Sequence, residues 1–456
     1  LQQDPADPNP DSMTAQSALT LPDSEAAQIQ TWRAITVAAC VGIALVAITG
    51  ILVPAGLSWD FANFYDTGRR AATGQLMNIY NPTTTIAGQA PQGGMAFWGA
   101  PISAWFYAPL SVFSPEVALI LFKLGGSLAY AGGLVLLYRH LRGTVSSSPL
   151  DQARFAAVFS LAALVYQPFW TMYRVGGQTT PFVFLFLLFA LVAHQRNQPI
   201  ATALGLLAAV LFKPAFLIAP VLLVLLSDRR LFFAIAGVFG AAGLLSILLF
   251  GWPLHREFID VLLRGSQRPS PWFFNSSLYI LADAFRPIQG SAPIPGAGGP
   301  LPDLLRTALK VAVLGVFIWL ALRSRKQEWN PPQRRHFNFL LATSFCLLLS
   351  QVVWEHYLAV LFLPLACLIA AGPQLPRPAR RLLAAIFVVA LFQNLIFVMF
   401  FRSHVTIETN AALLAVSLVK SGTLLLYLLW LVWYKDLFFA WQARVPGTPF
   451  AAPDGA

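Results

Sequence analysis

Asp60 is the residue around which chemistry can be built. It stands in the stretch Ser58-Trp59-Asp60-Phe61-Ala62-Asn63-Phe64-Tyr65, a few residues past an apolar run from Ala34 to Ala55 that is long enough to cross a bilayer. A carboxylate among aromatics at a membrane–water boundary can take a proton from a substrate whose other end lies in lipid. The position also suits two plainer uses, a helix cap and an ion pair with Arg69 or Arg70. His356, in Trp354-Glu355-His356-Tyr357, is the second group able to move a proton near neutral pH; a pair with Glu355 is its plainer reading.

Positive charge is the other requirement. Transfer from a phosphate-bearing donor needs cations to stabilise the departing phosphate, and Arg binds its oxygens with paired hydrogen bonds. Arg69, Arg70, Arg174, Lys213, Arg264 and Arg268 are the candidates, with Gln178, Asn275 and Tyr357 as polar neighbours. Lys213 interrupts an otherwise apolar hairpin, where a lysine marks function by default or else snorkels to the interface. Arg69 and Arg70 could be solvated, Arg264 and Arg268 could steer anionic lipid, and Gln178 could be a turn residue after Gly176-Gly177. Trp98, Trp105, Phe106 and Tyr107 read as an interfacial belt or a sugar platform.

The elements that must position these groups are membrane helices. Of the 456 residues, 57% are hydrophobic and 11% charged, against roughly 25% charged in soluble domains. Several stretches approach or exceed the ~20 apolar residues a spanning helix needs, and none alternates as a membrane barrel strand would. The expected fold class is therefore an all-α polytopic membrane protein, with about twelve spans by the length criterion. The three cysteines, Cys40, Cys346 and Cys367, lie in apolar segments and act as small hydrophobes. The formal charge of +11 argues for basic loops flanking spans, not for nucleic acid. There is no GxxxxGK[ST] or GxGxxG turn and no pair of His at metal spacing, and the lack of a DxD pair in the first loop argues against a cytosolic nucleotide-sugar enzyme.

Residues 1–33 are polar, acidic and Pro-rich and read as a disordered cytoplasmic tail; 34–435 form the transmembrane domain; 436–456 form a second cytoplasmic tail. Two long polar segments interrupt the spans: 56–116, whose stretch Pro101 to Pro115 reads as an interfacial or re-entrant helix, and 251–302. Spans over Ile200 to Phe212 and Pro214 to Leu226 are short, and Pro214 breaks the helix at Lys213. Arginine-rich loops at Arg139/Arg142, Arg196, Arg229/Arg230, Arg323 to Arg335 and Arg377 to Arg381 sort to one side, which is cytoplasmic by the positive-inside rule. Asp60, Arg174, Gln178, Lys213, Asn275 and His356 then share the opposite face.

Several short stretches follow one another along most of the chain. They are Trp59-Asp60-Phe61 with Phe64-Tyr65, Gly74, Tyr80-Asn81-Pro82, Tyr107-Ala108-Pro109-Leu110, Gly177-Gln178, Lys213-Pro214, Asn275-Ser276-Ser277-Leu278, and His356-Tyr357 followed by Pro364. In this the chain resembles glycosyltransferase family 87, polytopic enzymes of the GT-C superfamily that include bacterial polyprenol-phosphate-mannose-dependent α-mannosyltransferases. The resemblance implies a GT-C fold whose extracytoplasmic loops form the active site in the bacterial inner membrane. It implies a lipid-linked sugar donor, inversion at the anomeric carbon and no required metal. It maps the catalytic base onto Asp60 and an assisting histidine onto His356. Related chains often carry Asn shortly after Gly-Gln, where this one has Thr179-Thr180-Pro181, a departure that bears on sugar or acceptor identity more than on reaction type.

The expected function is transfer of a hexose, mannose by resemblance, from a polyprenyl-phosphate donor to a lipid or glycan acceptor. Membrane lipids and these two substrates are the expected partners. A flippase of lipid-linked glycans would instead need ionisable groups near mid-membrane and pseudo-symmetric halves. A surface-glycan polymerase or ligase using undecaprenyl-diphosphate donors would share the outer loops and differ in its lipid product.

Overall fold

The structure is a computed structural model, and it describes residues 23–53, 60–89, 97–174, 177–267, 275–289, 292–294, 298–402 and 409–443. Among the described residues the regular structure is helical apart from a pair of two-residue strands, Ile288–Gln289 against Ala292–Pro293. In order come α1 (Asp23–Leu52), α2 (Asp60–Ala72), α3 (Ala104–Tyr107), α4 (Pro115–Arg142), α5 (Pro149–Val165), α6 (Gln167–Arg174), α7 (Thr180–Gln195), α8 (Pro199–Phe212) and α9 (Ile218–Leu226). Then follow α10 (Arg229–Phe250), α11 (Trp252–Gln267), α12 (Ile280–Asp283), α13 (Leu301–Ser324), α14 (Pro331–Leu349), α15 (Phe362–Ala370), α16 (Arg377–Arg402), α17 (Asn410–Trp433) and α18 (Lys435–Gln442).

Local signals account for several boundaries. Ser114 caps α4 from an extended conformation, Pro115 opens the helix, Glu116 lies in its first turn, and Arg139, His140 and Arg142 lie in its last. That charge order complements the helix dipole. Asp228 accepts from the Leu231 N–H at 3.0 Å to cap α10, and Asn330 and Gln333 form a reciprocal capping box on α14. Lys213 is extended (φ −149°, ψ 98°) ahead of Pro214, as the steric demand of a following proline requires. The break expected there is real, and a 3-10 turn, Pro214–Leu217, leads into α9.

Among the described residues five helices are long and apolar enough to cross a membrane: α1 from Ser24, α4, α10, α13 and α17; α5 with α6, bent by 45°, makes up to six. The count of about twelve is not reached by this criterion. Other expected spans fall on shorter apolar helices, Thr180–Gln195, Pro199–Phe212, Pro214–Leu226 and Glu355–Ala370. The most apolar window of α1 is only 6% buried, so most of its side chains face outward, as lipid contact demands. By contrast, α15 is buried along its whole length and α14 from Phe337 to Leu348, and these two form the centre of the main core.

The tail expected to be disordered needs correction at its C-terminal end, and the second tail opens on a helix. Residues 23–33 belong to α1, and 1–22 lie outside the described residues. Residues 436–442 belong to α18, where Phe438, Phe439, Trp441 and Gln442 are buried; Phe438 and Phe439 pack on Phe337 of α14. An apolar cluster inside a short polar segment was enough to fold it back.

Candidate active site

A second, smaller core lies around α2, α3 and the start of α4 and joins Phe61, Tyr65, Tyr80, Phe97, Tyr107, Phe122, Phe250 and Leu254. It holds α2 against the turn that follows α3. Gly68 makes that approach possible: a Cβ there would stand 2.4 Å from the Tyr107 backbone. Asp60 is thereby fixed in the first turn of α2, where the helix dipole favours a carboxylate.

Asp60 accepts a hydrogen bond from Gln178 Nε2. The Oε1 of the same amide accepts from Lys213 Nζ at 3.1 Å. One buried glutamine thus joins the acid to the lysine, and both bonds use the sense that a carboxylate, an amide and an ammonium require. Gln178 is 2% exposed and Lys213 8%. Gly177 sets the turn before Gln178 with φ +83°, and a Cβ there would lie 3.2 Å from both Leu119 and Phe122. Thr179 Oγ1 donates to Phe212 O at 3.3 Å, tying this turn to the residue ahead of Lys213.

Lys213 Nζ also lies 4.8 Å from the Tyr357 ring centroid, a cation–π contact. Tyr357 in turn meets His356 edge to face at 4.9 Å. The negative charge of Asp60 is felt at Lys213, Tyr357 and Tyr107. Burial pushes the Tyr107 phenol above its usual range, and the Asp60 carboxylate adds to that. Phe64 stacks on Tyr107 at 4.8 Å, and Phe106 stacks on Phe212 at 5.8 Å. Trp98, Trp105 and Phe106 are exposed, as a belt would be, whereas Tyr107 is buried beside the acid.

The structure therefore brings together Asp60, Gln178, Lys213 and Tyr357, from four separate stretches of chain, and His356 stands next to Tyr357 with its ring against it. The arginines of α2 are used otherwise. Arg69 and Arg70 both pair with Asp66, at 2.9 and 2.6 Å. Asp66 also accepts from Thr83 at 3.1 Å, and Arg70 donates to Asn81 O at 2.8 Å. The suggested ion pair of Asp60 with these arginines is absent, because Asp66 lies one helical turn from them and Asp60 does not. Asn275 acts as a splice rather than a projecting ligand. Its Oδ1 accepts from the Ser277 and Val353 N–H groups at 3.0 and 2.9 Å, and its Nδ2 donates to Gln351 O at 3.1 Å. The segment leading to His356 is anchored in this way. The side chains of Arg174 and Arg264, and the whole of Arg268, lie outside the described residues. Among the described residues no three His, Cys, Asp or Glu are grouped to hold a metal ion.

Two charged groups escaped the sequence reading. Lys420 of α17 pairs with Glu355, the residue before His356. The pairing suggested between Glu355 and His356 had overlooked this lysine, although a lone Lys inside the last apolar run was a readable signal. Asp283, Arg286, Asp303 and Arg306 form an ion network joining α12 to α13, with Arg286–Asp303 at 2.6 Å. Asp283 and Arg286 stand three residues apart and were readable as a pair, whereas the links Arg286–Asp303 and Arg306–Asp283 span 17 and 23 residues, too far to be paired from spacing.

The family model for glycosyltransferase family 87 matches residues 97–351, more than half of the chain. The chain belongs to glycosyltransferase family 87. No curated protein and no solved structure matches it. The matched span contains Gln178, Lys213 and Asn275. Asp60, His356 and Tyr357 fall outside it; Asp60 meets Gln178, and Tyr357 meets Lys213, through contacts in the fold. Membership makes the protein a membrane glycosyltransferase.

Proposed function

We propose that this glycosyltransferase moves a hexose, mannose in particular, from a polyprenyl-phosphate donor to a hydroxyl of a lipid or glycan acceptor, with inversion and without a metal. The observation that carries the reading is the chain Asp60–Gln178–Lys213, a base and a cation held by one amide. Asp60 takes the proton of the acceptor hydroxyl as its oxygen attacks the anomeric carbon. The bond from that carbon to the phosphate oxygen breaks, and its electron pair leaves with polyprenyl phosphate. Lys213 stabilises the charge that develops on the departing phosphate. A β-linked donor gives an α-linked product. Tyr357, against Lys213, and its neighbour His356 orient the acceptor side. Arg174, Arg264 and Arg268 remain candidates for the donor phosphate on sequence grounds.

The reading includes a bacterial inner-membrane location with both termini cytoplasmic and the Asp60 end facing outward. Contacts between loops support this sorting. Arg335 donates to Gln195 O at 3.0 Å, Asn338 to Leu226 O at 2.7 Å, and Arg154 to Gln28 at 3.2 Å, contacts at or beside segments that the arginine distribution puts on one side. The expected set of about twelve would include the shorter apolar helices, shielded inside the bundle.

Asp60→Asn keeps the size of the side chain and removes the base. In membranes supplied with labelled polyprenyl-phosphate mannose, kcat is expected to fall about 10²- to 10⁴-fold. Undiminished transfer removes Asp60 from the role of base. Recovery of the lipid product as a monophosphate, not a diphosphate, checks the donor class.

A further inference from the structure

Lys420 lies within the apolar helix α17 and is 0% exposed. Its Nζ donates to the carboxylate of Glu355, itself 6% exposed. A charge pair in such surroundings carries a desolvation cost that an apolar pair would not. Its location gives it a use. Glu355 opens the 3-10 turn Glu355–Leu361, and the next two residues are His356 and Tyr357. The flanks of this turn are fixed through backbone: Asn275 holds Gln351 and Val353, and Tyr166 Oη donates to Leu358 O at 2.7 Å. Between those anchors, Lys420 grips the turn by a side chain. Lys420 is itself steadied, since Gln393 Nε2 of α16 donates to its carbonyl at 2.6 Å.

We propose that the Lys420–Glu355 ion pair positions the His356-Tyr357 turn against Lys213 and Asp60, so that α17 sets the geometry of the site without touching substrate. The inference rests on the transfer reaction proposed above. A pair that merely joined two helices could be replaced by neutral side chains without loss of turnover. A pair that sets the turn cannot, because displacements of about 1 Å in a catalytic group lower turnover by up to about 10²-fold.

The test compares wild type, Lys420→Met and the double variant Glu355→Gln/Lys420→Met in lipid nanodiscs. Lys420→Met takes the ammonium away from a buried carboxylate, and its Tm is expected to fall. The double variant removes both charges of the pair and recovers Tm. In both, kcat is expected to fall about tenfold or more, with KM for the lipid-linked donor within about threefold. In both, amide hydrogen exchange over 351–361 rises while that of α14 is unchanged. Wild-type exchange over 351–361 overturns the proposal, and so does wild-type kcat in the double variant. If wild type transfers nothing from polyprenyl-phosphate sugars, the reaction proposed above falls, and the exchange comparison still decides whether the pair holds the turn.

Discussion

Gln178 stands between the Asp60 carboxylate and the Lys213 ammonium and touches both, so its amide sets how far the two charges can approach. With the amide in place, Lys213 stays near Asp60 without taking its carboxylate in a direct ion pair. Gln178→Leu removes both bonds at once. Lys213 is then expected to turn onto Asp60, and kcat to fall about 10²-fold in single-turnover transfer of labelled donor. Donor KM is expected to move little, and an unchanged kcat would show that the bridge is incidental. The sequence revealed the ingredients of this arrangement and not the connection. Asp60 and Gln178 stand 118 residues apart, so no spacing rule pairs them. The pairing of Asp66 with Arg69 and Arg70 was readable, because separations of three and four residues share a helix face.

At the level of elements, the site depends on how closely α2 lies against the turn after α3. The contact is made at Gly68, and a Cβ there would enter the Tyr107 backbone. A backbone cannot yield as a flexible side chain can, so α2 must shift. Gly68→Ala is expected to destabilise by about 1–3 kcal/mol, the usual cost of overpacking, read as a lower Tm in detergent with helical content unchanged. Because Asp60 opens the same helix, transfer is expected to fall as well. Wild-type Tm and activity would mean that the close approach is not maintained in the membrane. The break at Lys213-Pro214 was legible because proline restricts the residue before it, whatever the tertiary setting. The helical ends of both supposed tails were not. Residues 23–33 continue a helix that the apolar pattern starts later, and α18 is ordered by burial of Phe438, Phe439 and Trp441 rather than by local propensity.

For the whole molecule, the question is why short and long helices coexist. A helix facing lipid must cover the hydrocarbon thickness by itself, and α1, α10 and α13 do so with mostly exposed apolar side chains. A helix wrapped by others can be short or broken, because its neighbours supply the apolar surroundings; α15 is the clearest case. Length alone therefore undercounts crossings, whereas arginine distribution is insensitive to helix breaks and sorts the loops into two sets. That sorting makes a prediction about orientation. Thr84 is exposed in the loop after α2, and Ser147 is exposed between α4 and α5. Cys346 and Cys367 are buried, so a Cys40→Ala background leaves no exposed native thiol. In intact cells, a membrane-impermeant maleimide is expected to label Thr84→Cys and to label Ser147→Cys only after permeabilisation. Labelling of both before permeabilisation would break the two-sided sorting. The reversed pattern would turn Asp60 toward the cytoplasm, and the lipid-linked donor would then have to be presented from the inner leaflet.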